Sequence, residues 1–276
     1  MQYSMYRDWV SWPTPGYQGQ MCNLMFHYPV NVTNSGVKQL IFCALLFSFT
    51  TGFGQVSLEA IMGYNDVNLS NIGMLPFKNY EYNSGVSLQY SLINSFHVGL
   101  GTEIPIGKKI FLEPALLYFG NGSHISGQTY NPGPDWYLDV TIRLYYLHIP
   151  VNFIYKTNLF KAVQVFGGAG LYFSRGLWGK ENGQLITKGG GISIQNVNNN
   201  TKFQNGVSTD WTNPTFNPYD LGYNVLVGIE WEKFQLTSSI SNGLIKAYSG
   251  YNYNLWNSAF SVYLTYKFAS IPKGKK

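Results

Sequence analysis

The chain has 276 residues and a formal net charge of +5, and 17% of its residues are aromatic while only 11% are charged. Roughly 25% of the residues of an ordinary soluble domain are charged, so this composition favours a β protein with half-apolar strands, either a membrane barrel or a secreted soluble protein. No run of about 20 apolar residues is present, which excludes a membrane-spanning helix. The basic residues are scattered and form no nucleic-acid-binding module, so anionic lipid is an expected partner and nucleic acid is not.

Residues 37–54 have the order of a secretory signal peptide. One basic residue, Lys38, precedes the apolar segment 40–49, and the small residues Gly52 and Gly54 follow it. This order predicts export by the Sec pathway and a mature chain that starts near residue 55. The alternative interpretation is a buried strand or helix of a soluble core.

Residues 1–36 precede this predicted signal peptide and show no clear periodicity. Since signal peptides normally begin at the N-terminus, our hypothesis is that Val37 marks the true start and that residues 1–36 are a misannotated extension. Both cysteines, Cys22 and Cys43, lie before the predicted cleavage point. We therefore expect no disulfide, thiol nucleophile or cysteine metal site in the mature chain.

Apolar and polar residues alternate with a period of two from residue 56 onward, which predicts β-strands. The last strand is the clearest: Phe260, Val262, Leu264, Tyr266 and Phe268 share one face of it. The eight predicted strands are residues 56–65, 96–106, 110–119, 145–156, 163–173, 220–232, 234–242 and 258–268. Most are close to the roughly 9–11 residues that a tilted strand needs to cross a bilayer. A ninth candidate, residues 86–92, is interpreted as an extension of the second strand beyond the membrane.

The connections between these strands alternate strictly in length. Residues 107–109, 157–162 and 232–233 are short connections. The long connections are residues 66–85, 120–142, 174–218 and 243–257, which are rich in Asn, Gly, Ser and Pro and predict solvated loops. This order predicts an eight-stranded antiparallel up-and-down transmembrane β-barrel over residues 55–268, closed by its first and last strands. Both termini are then expected in the periplasm, and residues 269–276 form a basic C-terminal tail.

The second face of the strands carries the polar residues that we expect inside the barrel lumen. These candidate lumen residues are Glu59, His97, Glu103, Glu113, His148, Lys156, Asn224, Glu230 and Lys267. Aromatic residues near the strand ends suggest interfacial girdles; they are Tyr118, Phe119, Tyr145, Trp231, Phe234, Tyr266 and Phe268. The rival fold is a secreted soluble barrel or sandwich with the apolar face turned inward, because the alternation alone does not say which face is outside.

Several short motifs resemble the PorT-like outer-membrane β-barrel family. They are Tyr-Leu-His-Ile-Pro at residues 146–150, Val-Phe-Gly-Gly-Ala-Gly-Leu-Tyr at residues 165–172, the strand 219–231, and Tyr-Lys-Phe at residues 266–268. The resemblance covers residues 56–268 and implies a small outer-membrane barrel, linked in some relatives to a protein-secretion apparatus, with no catalytic residues. It also implies recognition by the barrel assembly machinery through a C-terminal aromatic residue. The chain departs from the family at His148, where an acidic residue is usual, and in continuing past Phe268.

No pattern of a cofactor or metal site is found. The interior of an eight-stranded barrel is just filled by side chains, so the charged lumen residues are expected to pair with one another. No histidines have a metal-ligand spacing, and no phosphate-binding glycine loop precedes a helix. One catalytic pattern is present, because His124 and Ser126 lie two apart on one face, as in an outer-membrane lipid A deacylase, but no acid partner is identifiable.

The function that we expect is a structural, binding or secretion-accessory role without catalysis. An outer-membrane lipid-modifying hydrolase and a narrow pore are the alternatives. The expected partners are outer-membrane lipid and lipopolysaccharide, the barrel assembly machinery, and secretion components or a surface ligand. Aromatic residues of the predicted loops are candidates for that binding; they are Trp178, Trp211, Tyr251, Tyr253 and Trp256.

Overall fold

A computed structural model describes residues 55–70, 79–83, 86–129, 135–206, 214–249 and 254–271. The predicted signal peptide and residues 1–36 lie outside these ranges. No helix long and apolar enough to cross a membrane is found in the described part of the chain. The strands are β1 (Val56–Ser70), β2 (Asn79–Asn83), β3 (Val86–Ser91), β4 (Ile93–Pro105), β5 (Ile110–Thr129), β6 (Asp135–Asn158), β7 (Val163–Lys188), β8 (Ile192–Asn200), β9 (Lys202–Phe203), β10 (Thr215–Phe216), β11 (Tyr219–Trp231), β12 (Phe234–Ser249) and β13 (Asn254–Ile271).

Eight of these strands close into a barrel. The order around the ring is β1, β4, β5, β6, β7, β11, β12 and β13, and every neighbouring pair is antiparallel. Strand β13 pairs with β1 and closes the ring, as predicted for the first and last strands. The eight-stranded up-and-down barrel is therefore confirmed. Closure leaves no unpaired edge within the ring.

The two ends of the barrel differ. We call the end with the three short connections the turn end, and the opposite end the loop end. The connections at the turn end are residues 106–109, 159–162 and 232–233, each closed by backbone hydrogen bonds or a direct hairpin register. In the two-residue connection, Glu232 takes a φ of 54°, the left-handed conformation that a tight hairpin requires.

Strand β6 changes the polarity of its two faces along its length. From Leu147 to Lys156 its outward side chains are apolar and its inward ones include His148 and Lys156. On the loop-end side of Tyr146 the inward side chains are apolar; they are Trp136, Leu138, Val140, Ile142 and Leu144. The outward ones there are Asp135, Tyr137, Asp139, Thr141 and Arg143. The change coincides with a β-bulge opposite Tyr145 and Tyr146, where Leu177 is the extra residue of β7.

The turn-end half of the barrel is apolar on its outside. Its exposed apolar side chains form a belt around the ring that includes Met62, Leu100, Phe153, Val225, Val227 and Leu264. On β6 the belt runs from Tyr145 to Tyr155, about 34 Å of strand and about 26 Å along the axis at a tilt of about 40°. This height matches the roughly 25 Å apolar band of outer-membrane barrels. The rival soluble fold, with the apolar face inward, is wrong for this half.

The loop-end half is a sheet extension in place of three of the predicted loops. Strand β5 continues to Thr129 and β6 begins at Asp135, β7 continues to Lys188, and β12 continues to Ser249 before β13 begins at Asn254. Most of residues 120–142, 174–218 and 243–257 is therefore strand. Their composition of Gly, Asn and Ser was the reason to expect loops, but their alternating apolar residues build a core inside the extension. Strand β3 pairs with the extension of β5, which confirms residues 86–92 as an extension of the second barrel strand.

The last strand is longer than predicted. Strand β13 reaches Ile271, three residues past Phe268, because residues 269–271 pair with Val56, Ser57 and Leu58 of β1. The first part of the predicted basic tail is therefore strand, and residues 272–276 lie outside the described residues.

Candidate functional site

The barrel lumen holds all nine of the predicted lumen residues. Seven of them are no more than 8% exposed; they are Glu59, His97, Glu103, His148, Lys156, Asn224 and Glu230. The side chains of Glu113 and Lys267 are 14% and 11% exposed. They point inward because successive side chains of a strand point to opposite faces, and the neighbouring positions along each strand hold the outward apolar residues of the belt. The structure brings six of them together at the turn end and leaves His97, His148 and Asn224 in the middle.

Two lysines and two glutamates form a closed ion network at the turn end. Lys156 donates to Glu103 and, at 2.6 Å, to Glu230. Lys267 donates to the same two carboxylates, at 3.0 Å and 2.5 Å. Gln235 donates from its amide to both glutamates, at 3.1 Å and 3.2 Å. We call these five residues the lumen network. Its two positive and two negative charges balance. Its members come from five different strands, so the network links these strands across the lumen.

Glu59 and Glu113 lie beside the lumen network without joining it by a hydrogen bond. The nearest cation contact is between Glu113 Oε1 and Lys156 Nζ, at 3.8 Å. Carboxylate oxygens of Glu59, Glu103 and Glu113 all lie within 4.8 Å of one another. This trio is the one group in the described part of the chain whose carboxylate, imidazole or thiol ligand atoms converge in the way that a metal ion needs.

Aromatic and imidazole rings fill the middle of the lumen. His97 donates from Nδ1 to Asn65 at 2.7 Å, and its ring stacks on Phe119 at 5.5 Å. His148 is hydrogen-bonded to Ser174 at 2.7 Å and also stacks on Phe119, at 4.7 Å between ring centroids. Phe119 is therefore a lumen residue, and its predicted place in an interfacial girdle is wrong. It lies six residues after Glu113 on β5, so the two side chains share the inward face.

A second polar cluster lies above these rings, toward the loop end. Asp220 accepts hydrogen bonds from Tyr172 at 3.1 Å and from Asn257 at 2.8 Å, and Asn257 also contacts the Tyr146 hydroxyl at 3.4 Å. The sequence pattern missed this cluster, and it missed Gln235 of the lumen network. The signal was present for Tyr146, Tyr172, Asp220 and Gln235, which stand at inward positions of predicted strands, whereas Asn257 falls in a predicted loop. Their partners lie on strands far apart in the chain.

An apolar core closes the lumen at the loop end. Its fully buried members include Leu69, Tyr90, Leu144 and Phe216. Three cavities inside the barrel measure about 40, 10 and 30 Å³. A fourth, of about 560 Å³, is an open vestibule at the turn end, next to Glu103, Glu230 and Lys267. Among the described residues, the lumen network and the apolar core lie between this vestibule and the loop end.

The predicted catalytic pair His124 and Ser126 lies on the outer face of β5, in the sheet extension and not in a loop. Asp139, on β6, is the acidic neighbour that the sequence did not identify, at 3.9 Å from His124 Nε2. The other ring nitrogen of His124 is hydrogen-bonded to Thr141 at 3.1 Å. Both nitrogens of the ring therefore face β6, whereas a catalytic triad needs the ring between the serine and the acid.

Two of the predicted loop aromatics stand on strands. Trp178 lies on β7 and stacks on Tyr145 at 4.3 Å, and Tyr145 stacks on Tyr118 at 5.3 Å. This outward row of three rings lies at the edge of the apolar belt, as an interfacial girdle does. Trp256 lies on β13. Trp211, Tyr251 and Tyr253 lie outside the described residues.

The chain is similar to several solved structures. The crystal structure of Neisserial surface protein A is similar at 15% identity and a TM-score of 0.34, over 78% of this chain and 99% of that one. Ail, the attachment invasion locus protein of Yersinia pestis, is similar at 10% identity and a TM-score of 0.34, over the same shares. The translocator domain of the autotransporter NalP from Neisseria meningitidis is similar at 10% identity and a TM-score of 0.27, over 87% and 99%.

No curated protein sequence matches the chain. Residues 44–259 match the family described as outer membrane protein beta-barrel domain. This match covers well over half of the sequence and includes all of the ring strands except the last part of β13. The chain therefore belongs to the outer membrane protein beta-barrel domain family and is an integral β-barrel of the outer membrane.

Proposed function

We propose that this protein is a non-catalytic binding barrel, anchored by its belt and presenting its sheet extension to a partner. The observation that carries the proposal is that side chains fill the lumen, while the sheet extension at the loop end has an apolar core of its own. A barrel that conducts solutes needs a continuous water-filled lumen. Here the lumen network and the apolar core each occupy a cross-section, which argues against the narrow pore.

A lipid-modifying hydrolase is also less well supported. The His124 ring faces Thr141 and Asp139, so it is not placed to accept a proton from Ser126. The outward basic pair Arg143 and Lys180, opposite each other just beyond the row of Tyr145 and Trp178, suits contact with lipopolysaccharide phosphates instead. We infer that lipopolysaccharide is a structural neighbour of this surface and not a substrate.

We further propose that the turn end and both termini face the periplasm. Short connections on the periplasmic side and longer loops outside are the usual arrangement of these barrels. A protease-site tag inserted at Gly190, between β7 and β8, is expected to be cut on intact cells. The matched tag at Lys161, in a turn-end connection, is expected to be cut only after the outer membrane is permeabilised. The opposite pattern would reverse the orientation.

The β7–β8 hairpin is the proposed contact surface. Strand β8 pairs with β7 and with no second strand among the described residues. Its Ile192 and Ile194 side chains are 73% and 60% exposed. An open strand edge with exposed apolar side chains is suited to adding an extended segment of another polypeptide. A secretion-accessory role of the PorT-like kind, in which a partner protein docks on the barrel, fits this surface.

Substitution on the two faces of β8 tests this function. The double variant Ile192→Ser with Ile194→Ser is expected to lose the proteins that co-purify with the wild-type barrel after crosslinking in outer membranes. Ser193→Ala with Gln195→Ala, on the same exposed strand, is the matched control and is expected to retain them. If both double variants keep the same crosslinked proteins, the hairpin is not the contact surface.

A further inference from the structure

A cavity of about 40 Å³ in the lumen is bordered by polar atoms that have no hydrogen-bond partner among the described residues. These atoms are Glu59 Oε1, His97 Nε2, Glu113 Oε1, Asn224 Oδ1 and Ser261 Oγ, and each comes from a different strand. All of these residues except Glu113 are no more than 5% exposed. Buried polar groups without a partner are rare and costly, so their concentration around one cavity indicates a ligand there.

The charges beside this cavity show which kind of ligand is required. In the lumen network, Lys156 and Lys267 balance Glu103 and Glu230. The two remaining carboxylates, Glu59 and Glu113, share one lysine contact in the described part of the chain: Glu113 Oε1 lies 3.8 Å from Lys156 Nζ, and Lys156 already contacts Glu103 and Glu230. When ionised, two such buried carboxylates are strongly unfavourable, and one divalent cation neutralises both.

The carboxylates are close enough together to share one cation. Oxygens of Glu59, Glu103 and Glu113 lie within 4.8 Å of one another. Ca²⁺ binds oxygen at about 2.3–2.6 Å, so it bridges ligands up to about 5 Å apart. Ca²⁺ also accepts irregular sets of about six to eight oxygen ligands, whereas Mg²⁺ requires near-octahedral geometry. The cavity has room for about three water molecules, which complete the coordination shell of a cation held by few protein oxygens.

We propose that Glu59 and Glu113, assisted by Glu103, bind one Ca²⁺ ion inside the barrel. The open vestibule at the turn end reaches Glu103. The ion completes the electrostatic balance of the turn-end lumen and links β1, β4 and β5, the strands that carry the three carboxylates. This site is independent of the contact surface on the β7–β8 hairpin.

The test measures Ca²⁺ binding by the full-length barrel folded in an uncharged sugar detergent and stripped with EDTA. Calorimetric titration is expected to give one Ca²⁺ per chain, and added Ca²⁺ is expected to raise the temperature at which the folded gel mobility is lost. Glu59→Gln with Glu113→Gln is expected to weaken binding by about tenfold or more and to abolish the shift. Glu181→Gln, a buried carboxylate in the sheet extension, is the matched control and is expected to bind as the wild type does.

Three outcomes would overturn the proposal: a wild-type barrel that binds no Ca²⁺, a shift that the double variant retains in full, or a loss of binding in the Glu181 control as well. Terbium luminescence covers the case in which the double variant does not fold. Tyr263 lines the same cavity and is placed to excite a bound Tb³⁺ ion. Wild-type emission is expected to fall as Ca²⁺ displaces Tb³⁺, and to be much weaker in Tyr263→Phe. Emission that Ca²⁺ does not displace counts against the site.

Discussion

Replacing Lys156 by methionine is expected to destabilise the folded barrel by about 3–5 kcal/mol. The Lys156 side chain is 3% exposed and contacts Glu103, Glu113 and Glu230. Methionine keeps most of its length and its packing on Phe111, but leaves the carboxylates with Lys267 as their remaining cation. The measurement is urea unfolding of the refolded barrel in EDTA, followed by tryptophan fluorescence and gel mobility.

The matched control for this variant is Lys161→Met. Lys161 is exposed in the connection 159–162 at the same end of the barrel, so the same change there is expected to cost less than about 0.5 kcal/mol. Adding Glu230→Gln to Lys156→Met removes one buried negative charge that has lost its lysine, and is expected to restore part of the lost stability. Equal stability of the Lys156 and Lys161 variants would mean that the lumen network does not stabilise the fold.

Arginine at Val225 is expected to cost about 2–4 kcal/mol in a lipid bilayer. Val225 is 54% exposed on the outer face of β11, halfway between Tyr219 and Trp231 at the ends of that strand. Its position places it near the middle of the apolar belt, where a charged side chain faces hydrocarbon. The free energy of unfolding in lipid vesicles is the quantity to compare with the wild type.

The control for this second prediction is Gln184→Arg, on the outer face of β7 within the sheet extension. That face is polar, so the same charge there is expected to change stability by no more than about 0.5 kcal/mol. A Val225→Arg variant that is as stable as this control would place the belt outside the hydrocarbon.

The strands of the ring were predictable from the sequence because each has one apolar and one polar face. The same alternation placed Glu59, His148 and Lys267 on one side of their strands before their surroundings were known. It left open which face is outside, since alternation is identical in a soluble barrel and a membrane barrel. The structure resolves this through exposure, with Leu100 outside and His97 inside on the same strand.

The sheet extension was not predicted because its composition resembles that of loops. Strand β8 contains Asn-Val-Asn-Asn-Asn, and β5 contains Gly120, Gly122 and Gly127. Pairing across strands overrides these weak local preferences, a property that single-sequence patterns do not contain. The same limit applies to the lumen network, whose partners Lys156 and Glu230 are 74 residues apart along the chain.

The polarity change in β6 also sets how deep the protein sits in its bilayer. One continuous strand meets hydrocarbon up to Tyr145 and water from Arg143 onward. A vertical displacement by one pair of residues would carry Arg143 into the acyl chains in one direction, or expose the belt near Tyr155 to water in the other. Either displacement raises the free energy, because side chains on all ring strands would move together, either polar ones into hydrocarbon or apolar ones into water. The barrel therefore has a single favourable immersion depth, which holds the β7–β8 hairpin at a fixed height relative to the membrane surface.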